Sequence, residues 1–398
     1  MTAVFTRLLN IAKIPLSQSF FLLGPRTTGK STLIQAYLDT CTLPTLRYDL
    51  LKGDDFLRLQ SAPSRLRNEV ETKLVALSQF PLQVVIDEIQ KIPTLLDEVH
   101  HLLEKHPQKI RFILSGSSAR KLKRGGANLL AGRAWQRHLY SLTPLEIGET
   151  FQLNDALQYG GLPPVVTAPR ESKIEFLQSY ITNYLREEIQ AEAVTRRLDS
   201  FHRFLEAAAH CNGELVNMTT VAQEAAVKRP TVASYYQILE DTLLGFFLPS
   251  WGHHRSRKDL VTHGKFYFFD TGVVSGLNRI LTGDLTPQNP AYGHQFEHFI
   301  ILNFLRIHDY RRTEHRTGFF RTRAGAEVDL VQDLGSTLRA IEIKSSPTVS
   351  RSDVRGLRSF ADEFPDAELI VICTTPQPFM LGKIKCVPWL EFLKEESK

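Results

Sequence analysis

The chain has 398 residues, enough for two or three domains, and its 42% hydrophobic and 23% charged content is ordinary for a water-soluble globular protein. A net charge of +5 permits a nucleic-acid partner without requiring one. The four widely spaced cysteines form no CxxC pair or metal-knuckle spacing and favour free thiols over a disulfide framework. No apolar stretch is long enough to span a bilayer and the start has no signal-peptide pattern, so we expect a cytoplasmic protein with no membrane partner.

Residues 1–165 alternate short apolar runs with stretches compatible with helices. The runs "SFFLLG" (19–24), "LQVVIDE" (82–88) and "IRFILSG" (110–116) have the composition of buried parallel strands. Strands that alternate with helices predict an α/β domain with a doubly wound parallel sheet.

The first run leads into "GPRTTGKS", which fits the P-loop pattern G-x-x-x-x-G-K-[ST] and precedes a helix-compatible stretch. In that pattern, backbone N–H groups cradle phosphates, Lys30 reaches the β- and γ-phosphates, and Ser31 binds Mg²⁺. The predicted ATP-binding residues are Gly24, Pro25, Arg26, Thr27, Thr28, Gly29, Lys30, Ser31 and Thr32. The alternative is a glycine-rich turn that holds no nucleotide.

Two carboxylates end the second run, "VVIDE". Asp87 is placed to hold Mg²⁺ and Glu88 to orient and polarise an attacking water, which favours hydrolysis over binding alone. The alternative is an ordinary pair of acids at the end of a strand.

Three further features near this domain are weaker. Ser115 ends the third run and is a candidate contact for the γ-phosphate. Arg133 in "LLAGRAW" is a candidate for stabilising transition-state charge, in cis or across a subunit boundary, which would imply self-association. For Ser115 and Arg133 alike, the alternative is an ordinary structural role. The basic stretch at residues 120–126 is interpreted as a solvated loop rather than a nucleic-acid contact.

Residues 166–285 are predicted to be mostly helical, with "GFFLPSWG" and "GKFYFFD" as two short strands that follow the helices. That order is typical of a winged helix. Lys228 and Arg229 near the start of the last helix, and a basic cluster at 253–259, are candidate DNA contacts. A protein-interaction role is equally open, because Tyr235, Tyr236 and Leu239 have the character of packing residues.

Residues 286–398 form a second predicted α/β unit, after a proline- and glycine-containing boundary at 282–293. Within it, "AEVDLVQDLGSTLRAIEIK" predicts two strands joined by a turn. The strand period puts Glu327 with Asp329 on one face and Glu342 with Lys344 on one face. Pairing the strands would bring Asp329, Glu342 and Lys344 together.

A helix predicted at "HQFEHFIILNF" adds one more acid to this set. Glu297 shares a face with Ile300, Ile301 and Phe304, so its carboxylate is expected to point to the core, where it needs a partner. We predict that Asp329 and Glu342 bind Mg²⁺, that Glu297 completes or orients the metal shell, and that Lys344 positions the nucleophile for phosphodiester hydrolysis. The alternative is a solvent-facing hairpin with ordinary cross-strand ion pairs.

With these motifs in place, the chain resembles a prokaryotic family in which an AAA+-like ATPase is fused to a C-terminal restriction-endonuclease-like domain of the PD-(D/E)xK type. The resemblance covers nearly the whole chain through "GPRTTGKSTL", "VVIDEIQKIP", "FILSGSSARKL", "LLAGR", "LTPLEIGE", "YGGLPPV", "KFYFFDTGV", "FEHFII" and "AEVDLV…AIEIKSS". It implies ATP binding at residues 24–32, roles in Mg²⁺ binding and hydrolysis for Ser31, Asp87 and Glu88, a winged-helix middle and a nuclease-like end. Thr27 and Thr28 depart from the usual family residues, but only at variable positions of the loop.

The sequence therefore predicts three domains, at residues 1–165, 166–285 and 286–398, with ATP and Mg²⁺ as cofactors and DNA as the candidate partner. The leading interpretation is an ATPase with ATP-dependent control of a DNA-binding, nuclease-like module. The alternative is a non-catalytic ATP-dependent switch whose C-terminal domain binds DNA or protein without cleavage. A small-molecule kinase is a weaker third possibility, because Asp87 and Glu88 suit water activation better.

Overall fold

The structure is a computed structural model that describes residues 5–117, 130–184, 198–251, 264–322 and 325–398. It divides into two compact units. The first comprises Met1–Tyr140 with Asp241–Leu243, and the second comprises Ser141–Glu240 with Leu244–Lys398. The predicted boundaries at residues 165 and 285 both fall inside the second unit, and the division into three domains stays a prediction.

The first unit is built on a five-stranded sheet in the order β2-β3-β4-β1-β5. All neighbouring strands are parallel. The strands are β1 (Ser19–Leu23), β2 (Thr45–Asp49), β3 (Leu82–Asp87), β4 (Ile110–Gly116) and β5 (Ala134–His138). The helices described here are α1 (Lys30–Thr40), α2 (Gly53–Ser61), α3 (Ser64–Val75) and α4 (Leu95–Lys105). This confirms the predicted parallel α/β arrangement of the N-terminal region.

The strand sequences explain the layering of this sheet. Every residue of β1, β3 and β4 is buried, as expected for strands covered on both faces, whereas the two edge strands are partly exposed. The one charged side chain in these buried strands besides Asp87 is Arg111 of β4. Its guanidinium donates to Tyr37 Oη at 2.9 Å and to the carbonyls of Gln18 and Ile14, each at 3.2 Å, so its donors are satisfied.

The second unit begins with short helices followed by longer ones. They are α5 (Pro144–Ile147), α6 (Leu153–Tyr159), α7 (Pro163–Val166), α8 (Arg170–Ser179), a π-helical turn (Tyr180–Tyr184), α9 (Leu198–His210), α10 (Met218–Glu224), α11 (Arg229–Asp241) and α12 (Thr271–Leu277). Strands β6 (Gly245–Leu248) and β7 (Lys265–Phe268) form an antiparallel pair between α11 and α12. Tyr235, Tyr236 and Leu239 are buried, which confirms that they pack into the core of this helical part.

The rest of the second unit is a long helix, α13 (Pro290–Arg311), with a six-stranded sheet in the order β12-β13-β11-β10-β9-β8. The strands are β8 (Arg316–Arg321), β9 (Glu327–Asp333), β10 (Leu338–Ile343), β11 (Glu368–Cys373), β12 (Phe379–Leu381) and β13 (Ile384–Pro388). Helices α14 (Arg355–Glu363) and α15 (Trp389–Glu396) complete it.

Strands β8, β9 and β10 are antiparallel in sequence order, and β11 joins β10 in parallel. The hairpin predicted at 326–344 is therefore present, with Leu330 opposite Ile341. Helix α13 begins where Asn289 caps it by accepting a hydrogen bond from the backbone N–H of Ala291, with Pro290 at the first helical position. In the described residues, no helix combines the length and apolar content needed to cross a bilayer.

Candidate functional sites

The predicted phosphate loop connects the end of β1 at Leu23 to the start of α1 at Lys30. Thr27 (φ 63°) and Gly29 (φ 94°) adopt the left-handed conformation that lets the loop curl back. A Cβ atom on Gly24 would lie 2.2 Å from the carbonyl oxygen of Leu139, so only glycine fits there. The loop therefore has the tight backbone turn that the P-loop pattern requires.

Lys30 points into this loop. Its ammonium donates to the carbonyl oxygens of Gly24 at 2.8 Å and Pro25 at 3.0 Å, and the side chain is buried. Two further bonds brace the loop: Thr28 Oγ1 donates to the Pro25 carbonyl at 2.9 Å, and Arg7 donates to the Thr28 carbonyl at 2.7 Å. Sequence reasoning missed Arg7, because its partner lies 21 residues away and no local pattern marks it.

Asp87 lies beside the loop, because β1 and β3 are parallel and their carboxyl ends reach the same edge of the sheet. Ser31 Oγ donates to Asp87 Oδ2 at 2.7 Å, and Ser115 Oγ donates to the other oxygen, Oδ1. The structure thus brings two predicted site residues, Ser31 and Ser115, onto the carboxylate of a third, Asp87. Hydroxyl and carboxylate oxygens are ligands that Mg²⁺ prefers, so this donor set fits the ion.

Glu88 follows Asp87, the last residue of β3, and adopts a left-handed backbone conformation (φ 60°). Gln90 Nε2 donates to Glu88 Oε2 and also to Ser117 Oγ at 3.0 Å. The Glu88 N–H donates to Ser115 Oγ at 3.2 Å. The carboxylate is therefore buried and held in one orientation, as an acid that positions a water must be. Sequence reasoning missed Gln90 and Ser117.

Arg133 lies away from this edge of the sheet. It comes just before β5, whose first residue, Ala134, lies opposite Ser19 at the start of β1, while the phosphate loop follows the end of β1. Its guanidinium pairs with Glu104 Oε1 at 2.6 Å on the protein surface. The predicted contact in cis is therefore wrong for this arrangement, because a whole strand length separates the residue from the loop. A contact in trans stays a prediction.

The second predicted site lies where β9 and β10 meet. The backbone N–H of Ile343 donates to Asp329 Oδ2 at 2.8 Å, and Lys344 Nζ donates to Glu342 Oε1 at 2.6 Å. Asp329 and Glu342 are buried, and Glu342 Oε2 has no hydrogen-bond partner within the described residues. An orphaned, buried carboxylate oxygen is what a site that accepts a cation would present.

Glu297 of α13 reaches the same region, as predicted, but its carboxylate is already occupied. Tyr267 Oη donates to Glu297 Oε1 at 2.9 Å, and Lys265 Nζ lies 3.4 Å from the same oxygen. Lys265 also pairs with Glu327 Oε1 at 2.7 Å, and Arg321 lies 3.4 Å from Glu327 Oε2. Glu297 and Glu327 thus share Lys265 as a partner, as Glu342 has Lys344.

These contacts correct the predicted metal shell. Within the described ranges, no three side chains of histidine, cysteine, aspartate or glutamate are arranged to hold a metal ion. The physical reason is the Lys265 ammonium, which neutralises Glu297 from a strand that sequence reasoning did not connect to the hairpin. The predicted ligand set of Glu297, Asp329 and Glu342 is therefore reduced to Asp329 and Glu342.

Burial dominates the electrostatics of this site. It raises the pKa of Asp329 well above the usual value, Glu297 and Glu342 raise it further, and Lys265 and Lys344 oppose the shift. Burial also raises the pKa of Glu342 to about 6, although Lys344 lowers it. Burial lowers the pKa of Lys265, but the surrounding carboxylates outweigh that effect and raise it above the usual value.

The Glu342 shift predicts a pH dependence of stability. Because the folded state raises this pKa from 4.5 to about 6, the unfolded state releases its proton first as the pH rises through that window. We expect this residue to lower the free energy of unfolding by about 1–2 kcal/mol between pH 4 and pH 7. Urea unfolding of wild type and Glu342→Gln at both pH values measures the effect. An equal pH dependence in the two proteins would contradict it.

A cavity of about 670 Å³ opens onto this second site. Residues of the helical part and of the C-terminal sheet line it together, among them Asn217, Arg229, Lys265, Arg321 and Asp329. Arg229 begins α11 and is exposed. The helix start that the sequence marked for DNA contact therefore faces the same cavity as the carboxylates.

Two predicted features cannot be placed. The basic stretches at residues 120–126 and 253–259 lie outside the described residues. Lys228 is described and exposed, beside Arg229.

Comparison with known proteins supports the assignment of the first unit. Residues 17–150 match a family described as an AAA domain, which identifies an AAA-like ATPase domain there. Residues 150–283 and 292–392 match two families described as domains of unknown function, DUF8612 and DUF4143. None of these descriptions mentions a nuclease or DNA, so that half of the resemblance stays a prediction.

Two relatives are similar along most of the chain. Uncharacterised proteins of Mycobacterium tuberculosis and Mycobacterium bovis are each 28% identical over 364 residues, which is 91% of this chain and 77% of each relative.

Proposed function

We propose that the first unit hydrolyses ATP with the help of Mg²⁺, and that the second unit binds DNA next to a nuclease-like carboxylate site. The observation that carries the first part is the convergence at one edge of the parallel sheet. There Lys30 lies inside the phosphate loop, Ser31 donates to Asp87, and Glu88 is fixed by Gln90.

For ATP, the loop backbone would cradle the phosphates, and Lys30 would exchange the carbonyls of Gly24 and Pro25 for phosphate oxygens. Ser31 and Asp87 would hold Mg²⁺, which neutralises charge on the β- and γ-phosphates. Glu88 would orient a water and accept its proton as the water oxygen attacks the γ-phosphorus. The bond to the β-phosphate oxygen then breaks, which yields ADP and inorganic phosphate.

The P-loop assignment predicts the behaviour of Lys30→Ala. Because the buried ammonium lies inside the loop, where the P-loop pattern places it against the phosphates, we expect its loss to abolish ATP turnover in the purified full chain. Phosphate release measures turnover, and Lys73→Ala, an exposed lysine on α3, is the matched control. Unchanged turnover in Lys30→Ala would overturn the assignment.

The DNA part of the proposal is supported by the order of elements in the second unit. Helices α9, α10 and α11 followed by the β6–β7 pair match the order of a winged helix. Helix α13, the antiparallel β8–β9–β10 strands, α14 and the parallel strand β11 match a nuclease-like core. On this interpretation the chain has domains at 1–165, 166–285 and 286–398.

DNA binding at this place is supported by the shared cavity. Arg229 and Arg321 line it and supply positive charge that suits a phosphate backbone, while Asp329 lies at the same cavity. Asp329 and Glu342 would hold Mg²⁺, which would polarise a scissile phosphodiester, and Lys344 would steady charge that develops on it.

One observation favours the second candidate, a non-catalytic ATP-dependent switch. Lys265 already neutralises Glu297 and Glu327, which leaves only two carboxylates for a metal. A site closed in this way would bind DNA or protein in the cavity without cutting it.

Arg133 is exposed on the first unit. If the chain self-associates, it would stabilise transition-state charge at the ATP site of a neighbouring subunit.

A further inference from the structure

Lys265 is the first residue of β7, in the strand pair that follows the helical part of the second unit. Its side chain is only 5% exposed, yet its ammonium lies 2.7 Å from Glu327 Oε1 of β9 and 3.4 Å from Glu297 Oε1 of α13. One buried cation thus holds carboxylates from two separate elements of the C-terminal part. Burying an ammonium group is costly unless such partners surround it.

Tyr267 strengthens this arrangement from the same strand. Residues 265 and 267 share a face of β7, and both contact the same oxygen of Glu297. The strand therefore supplies two partners to one oxygen of Glu297, an acid that also lies close enough to Asp329 and Glu342 to raise the pKa of both.

A divalent cation at Asp329 and Glu342 would compete with this ammonium. Both are positive charges that the same group of carboxylates attracts, and each destabilises the other at close range. The cavity beside the site is lined by Lys265, Glu297, Glu327 and Asp329, so the lysine borders open space next to these carboxylates.

We propose that Lys265 is a built-in counter-cation that closes the C-terminal carboxylate site against divalent cations, so that metal binding requires the ammonium to leave Glu297. This inference rests on the proposed metal binding by Asp329 and Glu342. On this proposal, β7 controls whether Asp329 and Glu342 can bind a divalent cation. A strand next to the helical part thus regulates a site in the C-terminal sheet.

The test is direct Mn²⁺ binding to the full chain without nucleotide, measured by the electron paramagnetic resonance signal of free Mn²⁺. Binding that disappears in Asp329→Asn is assigned to this site. We expect Lys265→Met to bind Mn²⁺ at least about tenfold more tightly than wild type, because a positive charge beside the metal has been removed. Lys265→Arg keeps the charge and should bind like wild type, as should Lys383→Met, an exposed lysine of the same unit outside the lining.

A second pair of variants tests the role of Lys265 if Lys265→Met alone folds poorly. Glu327→Gln with and without Lys265→Met forms a second pair, in which one of the two ion-paired acids is neutral while Glu297 keeps its Tyr267 bond. The doubly substituted protein should bind Mn²⁺ more tightly than Glu327→Gln alone.

Two other results would overturn the proposal in different ways. If wild type binds Mn²⁺ through Asp329 and removal of Lys265 changes nothing, only the role of Lys265 fails. If no variant shows binding that depends on Asp329, the proposed metal site fails with it.

Discussion

Replacing Glu88 by glutamine should lower the rate of ATP hydrolysis by about 10²–10⁴-fold while leaving ATP binding intact. Glutamine has the shape of glutamate but cannot accept the proton of an attacking water. The carboxylate lies next to Asp87 and accepts hydrogen bonds from Gln90 and Ser117, so the change removes basicity without removing a side chain from the packing. Asp87 and Lys30, the groups that would hold Mg²⁺ and the phosphates, are untouched.

Phosphate release measures turnover in this experiment, and the fluorescence of a labelled ATP analogue measures binding. Asp97→Asn, an exposed acid on α4, controls for the loss of one negative charge. Gln90→Ala should lie between wild type and Glu88→Gln, because it frees the carboxylate to rotate but keeps its basicity. If Glu88→Gln hydrolyses ATP at the wild-type rate, another group must activate the water.

The phosphate site could be predicted well from sequence because its parts are local. A strand, a glycine-containing turn and a helix follow one another within residues 19–40, and a second strand ends in Asp87. Parallel strands then bring the two stretches to the same edge without further information. Arg7 and Gln90 stayed out of reach. Arg7 contacts Thr28, 21 residues away, and Gln90 is set by its bond to Ser117, 27 residues away, and by the left-handed turn at Glu88.

The C-terminal hairpin shows where sequence reasoning stops. Strand period put Glu327 with Asp329 on one face and Glu342 with Lys344 on one face. Lys344 donates to Glu342, and the Ile343 N–H donates to Asp329 where the two strands meet. The strand period cannot reveal a cationic side chain that a different strand or helix contributes to the site. Lys265 lies more than 60 residues before Asp329, in a four-residue strand whose other members are aromatic, so nothing local marks it as the partner of Glu297.

That partner changes how the carboxylates are interpreted. A group of acids in a core-like hairpin calls for a counter-charge, and sequence alone favoured a metal ion. In the folded chain, part of that charge comes from Lys265. Among the described hairpin carboxylates, Glu342 Oε2 is buried without a hydrogen-bond partner. The nuclease-like site and the non-catalytic switch therefore differ in one physical question, namely whether a divalent cation can displace the lysine.

Cleavage of DNA separates the two candidates, and the expected effects are large. If the site is a nuclease, metal-dependent cleavage should fall by about 10²–10³-fold in Lys344→Ala and in Asp329→Ala. Lys344 is the cation that donates a hydrogen bond to Glu342. Asp329 is the buried acid that accepts a hydrogen bond from the Ile343 N–H. On the proposed roles, Asp329 would hold the metal ion and Lys344 would steady the charge that develops on the phosphate, so either loss would remove stabilisation of the transition state.

The assay uses duplex, single-stranded and branched DNA with Mg²⁺ or Mn²⁺, with and without ATP. Lys383→Ala and Asp366→Ala are exposed changes of the same residue types in the same unit and should cut like wild type. Cleavage that survives in both site variants would point to a contaminating nuclease. A wild type that binds DNA but leaves every substrate intact, even when Lys265→Met does the same, would favour the switch, because removing the competing cation would then have failed to open a catalytic site.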